Sequence, residues 1–453
     1  MSETLIDFVL LNDIPINEGL SRGIGVYRLT TELEKHGHST LVIDYASYMS
    51  LDQLEVILSK VKIKTFGVSS TWFKNKFFTA KNLRKILNKY NDSYKLIVGG
   101  AYAYQYIDED YDHIFVGHSE NQIIDFCSGI VFPRIIDWDR KAKDGKFSFN
   151  DSYTVFPYLH PDEIVGLETS RGCIFNCAFC NYPHKNQNTR DFMKYEDVLY
   201  KELLNNYEMW GTKRYAIIDD TFNDYTKKLV SIKRVVDRLP FQPEFWAYIR
   251  FDIIAGQPEQ AQLLYDIGLR SAMHGLETWN DETAKIIRKG NRQKKIDGMK
   301  IAKSIWKENV FINVFYITGL PKDKVEDVHD FILYWKSEGH EYIDNVTAFP
   351  LYLRDNESQY MELSDIEKNP DSYGYKMDGP KSWIRKDPGI DTFAKATEMA
   401  NLINLNCKWK KKNKAWTWNA YALRLGIKNH EEASQEFFDK IYYPNLLKTA
   451  NGL

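Results

Sequence analysis

Short apolar runs alternate with amphipathic helical stretches twice along the chain, and the second alternation opens on a run that leads straight into a group of cysteines. In the first, residues 6–11, 40–44, 65–70, 95–100 and 113–117 read as strands, with helical patterns at 25–35, 51–61 and 76–90. Such alternation predicts an α/β fold with a parallel, doubly wound, Rossmann-like sheet over residues 1–128. Ligands of such sheets bind beyond the carboxyl ends of the strands. Ser69, Ser70, Gly99, Gly100 and Gly117 mark those ends. Glycines there let backbone approach a ligand, and ordinary tight turns are the alternative. In the second alternation the strands are 164–169, 214–220, 244–250, 271–277, 311–319 and 345–350, with helical patterns between them. Six strand–helix units predict a partial (β/α)6 barrel over 163–354, with catalytic groups at the carboxyl ends of its strands. Residues 129–162, of mixed charge and little periodicity, read as a linker. Residues 355–453 lose the alternation and form a mainly helical C-terminal region.

Three of the five cysteines, Cys173, Cys177 and Cys180, fall within eight residues as Cys-x-x-x-Cys-x-x-Cys. Three thiolates on one short loop can hold three irons of a 4Fe–4S cluster. No fourth cysteine is close by, so one iron is left open, and an open metal position signals chemistry rather than scaffolding. His184 follows Cys180 by four, so a Cys3His zinc site is an alternative, as are three unrelated structural thiols.

The composition, 43% hydrophobic and 27% charged, is that of a globular chain. No apolar run approaches the 18 or so residues of a membrane span. The N-terminal residues lack the basic and apolar regions of a signal peptide. With few, clustered cysteines, the expectation is a reducing, cytoplasmic setting. A net charge of −2 does not suggest a general polyanion binder. One local exception is the stretch 408–418, with five lysines and three tryptophans. Lysines attract phosphate and aromatics stack on bases, so nucleic acid is one reading there. A solvated helix edge with core tryptophans is the other.

The cysteine spacing, with Phe179 before the last cysteine, resembles the signature of the radical S-adenosylmethionine (SAM) enzymes. That resemblance implies a 4Fe–4S cluster whose open iron chelates SAM and splits its sulfonium into methionine and a 5′-deoxyadenosyl radical. It places Phe179 beside the adenine, and it implies a reducing partner such as flavodoxin or ferredoxin. Asp219-Asp220-Thr221-Phe222 resembles the motif that helps hold the methionyl amino group. Gly275-Leu-Glu277-Thr278 resembles a Gly-Ile-Glu-Ser segment lining the SAM pocket, and Gly319-Leu-Pro resembles the turn beside the adenine. Arg250 is implied as a partner of the SAM carboxylate or of Glu277. Plainer roles stand beside these: a helix N-cap for the aspartates, a buried structural pair for Arg250, and a turn for Lys289-Gly290.

Residues 1–128 resemble the cobalamin-binding domain found in front of many radical SAM enzymes. The segments that carry it are Glu34-Lys-His-Gly-His-Ser-Thr-Leu41, Gly67-Val-Ser-Ser70, Val98-Gly-Gly-Ala101 and Val116-Gly-His-Ser-Glu120. The Asp-x-His-x-x-Gly motif of other cobalamin proteins is absent, and His118 stands where the family usually has an acidic residue. The resemblance implies cobalamin-dependent methylation of an unactivated carbon. Alternatively the front domain is a scaffold and the outcome is rearrangement, cyclisation or oxidation. A methylthiotransferase is disfavoured, since too few cysteines remain for an auxiliary cluster. A metal-containing nucleic-acid-binding protein is the alternative of another class. The substrate is not legible.

Overall fold

The computed structural model describes residues 4–13, 20–71, 73, 77–137, 147–185, 187, 189–354, 359–407 and 430–452. The basic aromatic stretch 408–418 lies outside them. The described residues divide into two compact units, one taking those up to Gly166 with Lys201–Thr212 and 430–452, the other taking Leu167–Tyr200 and 213–407.

The first unit is built on a six-stranded parallel sheet in the order Thr40–Ile43, Thr4–Leu11, Val61–Ser69, Lys95–Gly100, His113–Val116 and Ile135–Asp137. The helices Gly25–Lys35, Leu51–Leu58, Ala80–Tyr90 and Glu120–Cys127 supply the crossovers that parallel strands require. Two of them start on side-chain caps: Ser50 with Gln53 forms a capping box, and Thr79 accepts from the Asn82 amide. Phe8, Leu33, Ile97, Phe115, Ile123 and Ile136 belong to one buried cluster between sheet and helices. Fully burying a side chain of this kind is worth about 1.5–3 kcal/mol.

Ile135–Asp137 falls inside the stretch read as a linker, yet it pairs with His113–Val116 as an edge strand. Three residues are too short for periodicity to reveal. The helices His430–Phe437 and Tyr443–Gly452 of the C-terminal region belong to this unit. They close over a buried charge cluster centred on Arg22, which is 1% exposed. Its guanidinium donates to Tyr27 Oη (2.8 Å), the Tyr158 carbonyl (2.8 Å) and Glu163 Oε1 (2.9 Å), and lies 3.4 Å from Asp44. The Tyr442 ring lies 5.3 Å from the Arg22 guanidinium, and its hydroxyl accepts the Asp44 amide at 2.7 Å. A buried cation needs this density of partners to offset its desolvation.

The second sheet has seven parallel strands, six of which neighbour one another in chain order, Ile164–Leu167, Arg214–Ile217, Glu244–Tyr248, Leu269–Glu277, Phe311–Thr318 and Asn345–Pro350, with Ser21–Arg22 paired to the outer side of Ile164–Leu167. This is the strand succession of a partial (β/α)6 barrel, and each strand lies within about two residues of its expected start. The last strand is covered by the helix Phe393–Asn406. Asn404 there both accepts from the Ala348 amide (2.8 Å) and donates to the Ala348 carbonyl (2.9 Å). Those are backbone groups that an uncovered sheet edge would leave unpaired.

Candidate functional site

The cysteine loop starts where Ile164–Leu167 ends. Asp219, 2% exposed, accepts from the Thr169 amide (2.7 Å), Thr169 Oγ1 (2.6 Å) and Ser170 Oγ (2.7 Å). Lys228, buried on the helix Thr226–Arg238, reaches Ser170 Oγ and the Thr221 carbonyl, both at 3.1 Å, and pairs with Asp224 at 2.8 Å. The chain therefore enters the loop between two fixed residues. Within the loop, Cys173 is tied to the His184 carbonyl, Cys180 to the Cys177 carbonyl, and Ala178 to the Ile287 carbonyl, all through backbone amides.

The three thiols lie close enough that Cys173 and Cys177 both act on the ionisation of Cys180. Cys173 Sγ is 3.6 Å from Thr221 Oγ1, Cys177 Sγ is 3.7 Å from the Arg288 carbonyl, and Cys180 Sγ accepts from the Tyr182 amide at 3.4 Å. Three sulfurs on one braced loop, one already receiving an amide N–H, fit the donor set of an iron–sulfur cluster. Among the described residues no group of three or more His, Cys, Asp or Glu is placed to hold a single metal ion.

Beside the loop, the Arg250 guanidinium lies 3.6 Å from the Phe175 ring centroid. It pairs not with Glu277 but with Asp252, Nε to Oδ1 at 3.0 Å and Nη2 to Oδ2 at 2.6 Å, the structural pair that was the plainer of its expected roles. A bidentate pair two residues away satisfies the buried cation locally. Glu277 pairs with Lys289 at 3.1 Å. Burial alone would push the Lys289 ammonium down, but Glu277 holds it above its usual range. Lys289 also lies 5.8 Å from the Phe179 ring centroid. Below them Lys295 donates to the Leu276 carbonyl (2.9 Å), and burial pushes its ammonium down to about 7.

Asp220 differs from its neighbour. It is exposed, while the protein around it, with Asp219 and Glu168, pushes its carboxyl up to about 7 against the lowering effect of Tyr182. The accessible surface moderates the desolvation without reversing its direction. Thr278 donates to Asp323 (2.7 Å), and the Gly319 carbonyl accepts from Tyr375 (2.7 Å). Gly319 has φ +85°, and a Cβ there would sit 2.6 Å from the Trp383 ring. Both residues thus serve the turn that follows Phe311–Thr318.

In the first unit, register aligns Ser69 with Gly99, Gly99 with Phe115 and Gly100 with Val116. Ser70 Oγ accepts the Tyr102 amide (3.2 Å), and the Gly117 amide reaches the Gly100 carbonyl (3.3 Å). Gly100 and Gly117 have φ +109° and +84°, which glycine adopts without strain. The five strand-end residues therefore share one edge. His118 lies 4.0 Å from Glu120.

Sequence reasoning missed Phe175, Tyr182, Lys228 and Asp252, and took Lys289 for a turn residue. Lys228 carried a signal: it stands four residues before Ile232 on the apolar stripe of its helix, where a lysine must find buried partners.

Residues 167–332 match the family model of the radical SAM superfamily. They form a radical SAM domain. The chain is 28% identical over 219 residues to a provisionally named methylthiotransferase of Methanocaldococcus jannaschii, covering 42% of this chain and 46% of that protein. It is 26% identical over 183 residues to an uncharacterized methyltransferase of Pyrococcus horikoshii, covering 40% and 39%. The chain thus spans less than half the length of the curated relatives it matches. Among solved structures it is similar to the radical SAM methyltransferase TsrM from Kitasatospora setae with tryptophan substrate and a SAM analog bound. The TM-score there is 0.60 at 14% identity, over 97% of this chain and 99% of that one. It is also similar to the cobalamin-dependent radical SAM enzyme OxsB with aqua-cobalamin and SAM bound, at TM-score 0.56 and 14% identity, over 81% and 56%. At such identities the likeness is one of fold. The fold is that of a radical SAM domain preceded by a Rossmann-like unit.

Proposed function

We propose that the chain is a radical SAM methyltransferase of the cobalamin-dependent kind, acting on an unactivated carbon. The observation that carries the reading is the braced loop bearing Cys173, Cys177 and Cys180 at the carboxyl end of the first barrel strand, without a fourth cysteine. A 4Fe–4S cluster and SAM supply the electron and the hydrogen-abstracting radical when bound, and cobalamin supplies the methyl group. Cys173, Cys177 and Cys180 hold the three irons. Asp220, an accessible carboxylate beside the loop, suits the methionyl ammonium of SAM. Glu277 with Lys289, and Phe179 beside Lys289, line the same site. Arg250 positions the loop through Phe175 instead of meeting the ligand directly. In the first unit Ser69, Ser70, Gly99, Gly100 and Gly117 offer backbone and hydroxyl contacts to a corrin. In the direction of a Cβ, Gly99 has only ordinary contacts at 3.6 Å or more, whereas at Gly100 the Thr71 and Ser70 hydroxyls stand at 2.8 and 3.1 Å.

Methyl transfer is favoured over methylthio transfer because the remaining cysteines, Cys127 and Cys407, lie one in each unit and form no second triad. A flavodoxin or ferredoxin would serve as reductant, and a reducing cytoplasm would suit five free thiols. No helix among the described residues is long and apolar enough to cross a membrane.

The test is anaerobic reconstitution followed by iron, sulfide and cobalamin analysis and a SAM-cleavage assay. The expected result is about four irons per chain, bound cobalamin and 5′-deoxyadenosine formation under reductant. Absence of SAM cleavage by the reconstituted protein overturns the reading. Turnover without cobalt would replace methylation by a radical rearrangement, cyclisation or oxidation, with the first unit as scaffold.

A further inference from the structure

The two faces of the barrel sheet are unlike. On one face His274 meets Phe251, and Tyr316 meets Phe331, both at 5.0 Å between ring centroids, so helices cover it. Strand pairing puts a different set on the other face. Tyr248 is in register with Met273, Gly275 with Phe315, Phe315 with Thr347, and Ile317 with Phe349. Three large apolar side chains there stay accessible, Tyr248 at 40%, Ile218 at 46% and Phe349 at 48%, while Trp246 and Met273 beside them are buried. A parallel sheet ordinarily has both faces covered.

The accessible rings are ordered. Tyr248 and Phe315 lie 6.0 Å apart at 30°, and Phe315 and Phe349 lie 6.3 Å apart at 26°. Gly275, on the strand between Tyr248 and Phe315, brings no side chain of its own, and the Glu277 carboxylate and the Lys289 ammonium lie over it. The result is a row of rings inclined by 30° or less to their neighbours, carried on three of four successive strands, which offers offset stacking to a flat π-system. Polar groups follow on the same face. Asn345 Nδ2 donates to Asn313 Oδ1 (2.8 Å) and Thr347 Oγ1 (3.2 Å), and Asn313 Nδ2 points to Met273 Sδ (3.3 Å). Because its amide nitrogen is so used, Asn345 presents Oδ1 as an acceptor, and that oxygen accepts no bond from a described residue. The face is continuous with the cysteine loop. Arg250, two residues beyond Tyr248, lies on Phe175, and Asp220 stands two beyond Ile218.

We propose that this face carries the substrate and that the substrate is a planar aromatic or heteroaromatic compound with an N–H at its edge. Tyr248, Phe315 and Phe349 stack on its plane, and Asn345 accepts its N–H. The inference rests on the proposed radical SAM activity, since only that reading makes the face a place for a reacting molecule. Apolar burial alone would take any greasy compound. Ring order and a directional acceptor select by planarity and by an edge donor.

The experiment titrates the full-length reconstituted protein with indole, 1-methylindole and cyclohexylmethanol, read by calorimetry or saturation-transfer NMR. Indole should bind about tenfold more tightly than cyclohexylmethanol, in line with the worth of one stacking contact. Phe315→Leu, which keeps apolar bulk, should erase that preference. Asn345→Ala should erase the preference of indole over 1-methylindole. If Phe315→Leu does not fold, Phe349→Leu repeats the test at a ring that is already accessible. Equal affinity for indole and cyclohexylmethanol, or unchanged selectivity in the variants, overturns the proposal. Wild-type SAM cleavage is measured on the same sample. Cleavage without aromatic selectivity defeats this inference alone, and no cleavage defeats the activity on which it rests.

Discussion

The Glu277 carboxylate folds back over Gly275, its Oε1 lying 1.8 Å from where a Cβ on residue 275 would stand. Lys289 Nζ is 3.0 Å from the same point. Gly275→Ala must therefore move the Glu277–Lys289 pair. Both contacts are the ends of flexible side chains, so the loss of stability should stay near 1 kcal/mol. SAM affinity should fall about tenfold with the iron content unchanged. Calorimetric titration of reconstituted Gly275→Ala with SAM checks this, and wild-type affinity would remove Glu277 from the ligand site.

Adjacent aspartates should behave oppositely. Asp219→Ala strips the acceptor from Thr169 and Ser170 and leaves Lys228 with Asp224 as its one carboxylate partner. Breaking such a buried pair costs about 3–5 kcal/mol, and the second carboxylate places this case at the lower end. The loop should then lose its entry bracing and its iron. Asp220→Ala removes an exposed carboxylate, so melting should shift by less than about 2 °C while SAM binding weakens. Thermal melts paired with iron analysis separate the two.

Cluster assembly should depend on the triad alone. Cys177→Ala should abolish the iron–sulfur absorption band and SAM cleavage together. Cys127→Ala and Cys407→Ala should keep both, because neither lies on the loop that carries the triad: Cys127 ends the helix Glu120–Cys127 and Cys407 follows the helix Phe393–Asn406. A missing band in either single variant would contradict this.

Stability should fall in acid through His274. Burial, with Lys295 and Lys289 nearby, pushes its imidazole down to about 3, and the ring makes a 3.0 Å contact with the Ile249 carbonyl. The unfolded chain takes up the proton near pH 6.5 and the folded chain only near 3, so stability is lost as pH falls through that window. The slope reaches at most about 1.4 kcal/mol per pH unit. Asp323, whose carboxyl burial pushes up to about 7, acts in the opposite sense, its stability being lost as pH rises from about 4 to 7. Urea melts of wild type and His274→Gln at several pH values isolate the histidine, and parallel curves would sink the assignment.

Much of this was legible because strands and helices differ in period. Val61–Ser69 and Leu269–Glu277 began only a few residues earlier than their apolar runs suggested. Pairing that depends on distant sequence was not legible, as Ile135–Asp137 shows. Within the site, strand alternation separates Asp219 from Asp220: the first continues the buried side with Ile217, the second the accessible side with Ile218. The Asp-Asp motif alone does not show that difference. Thr278 and Gly319 had recognisable motifs, but their partners Asp323, Tyr375 and Trp383 lie too far along the chain for spacing to reveal.

The contact between Tyr442 and the Asp44 amide spans 398 residues. Between them the chain makes all the barrel strands from Ile164–Leu167 to Asn345–Pro350. During synthesis, Arg22, Asp44 and Glu163 are all made long before the tyrosine that covers them. The barrel, whose strands pair with their sequence neighbours, can form in that interval as each strand emerges. The Rossmann-like unit is thus begun first and closed last. Any ribosomal stall or premature stop after the barrel would release a chain whose barrel is finished but whose buried arginine is still open to water.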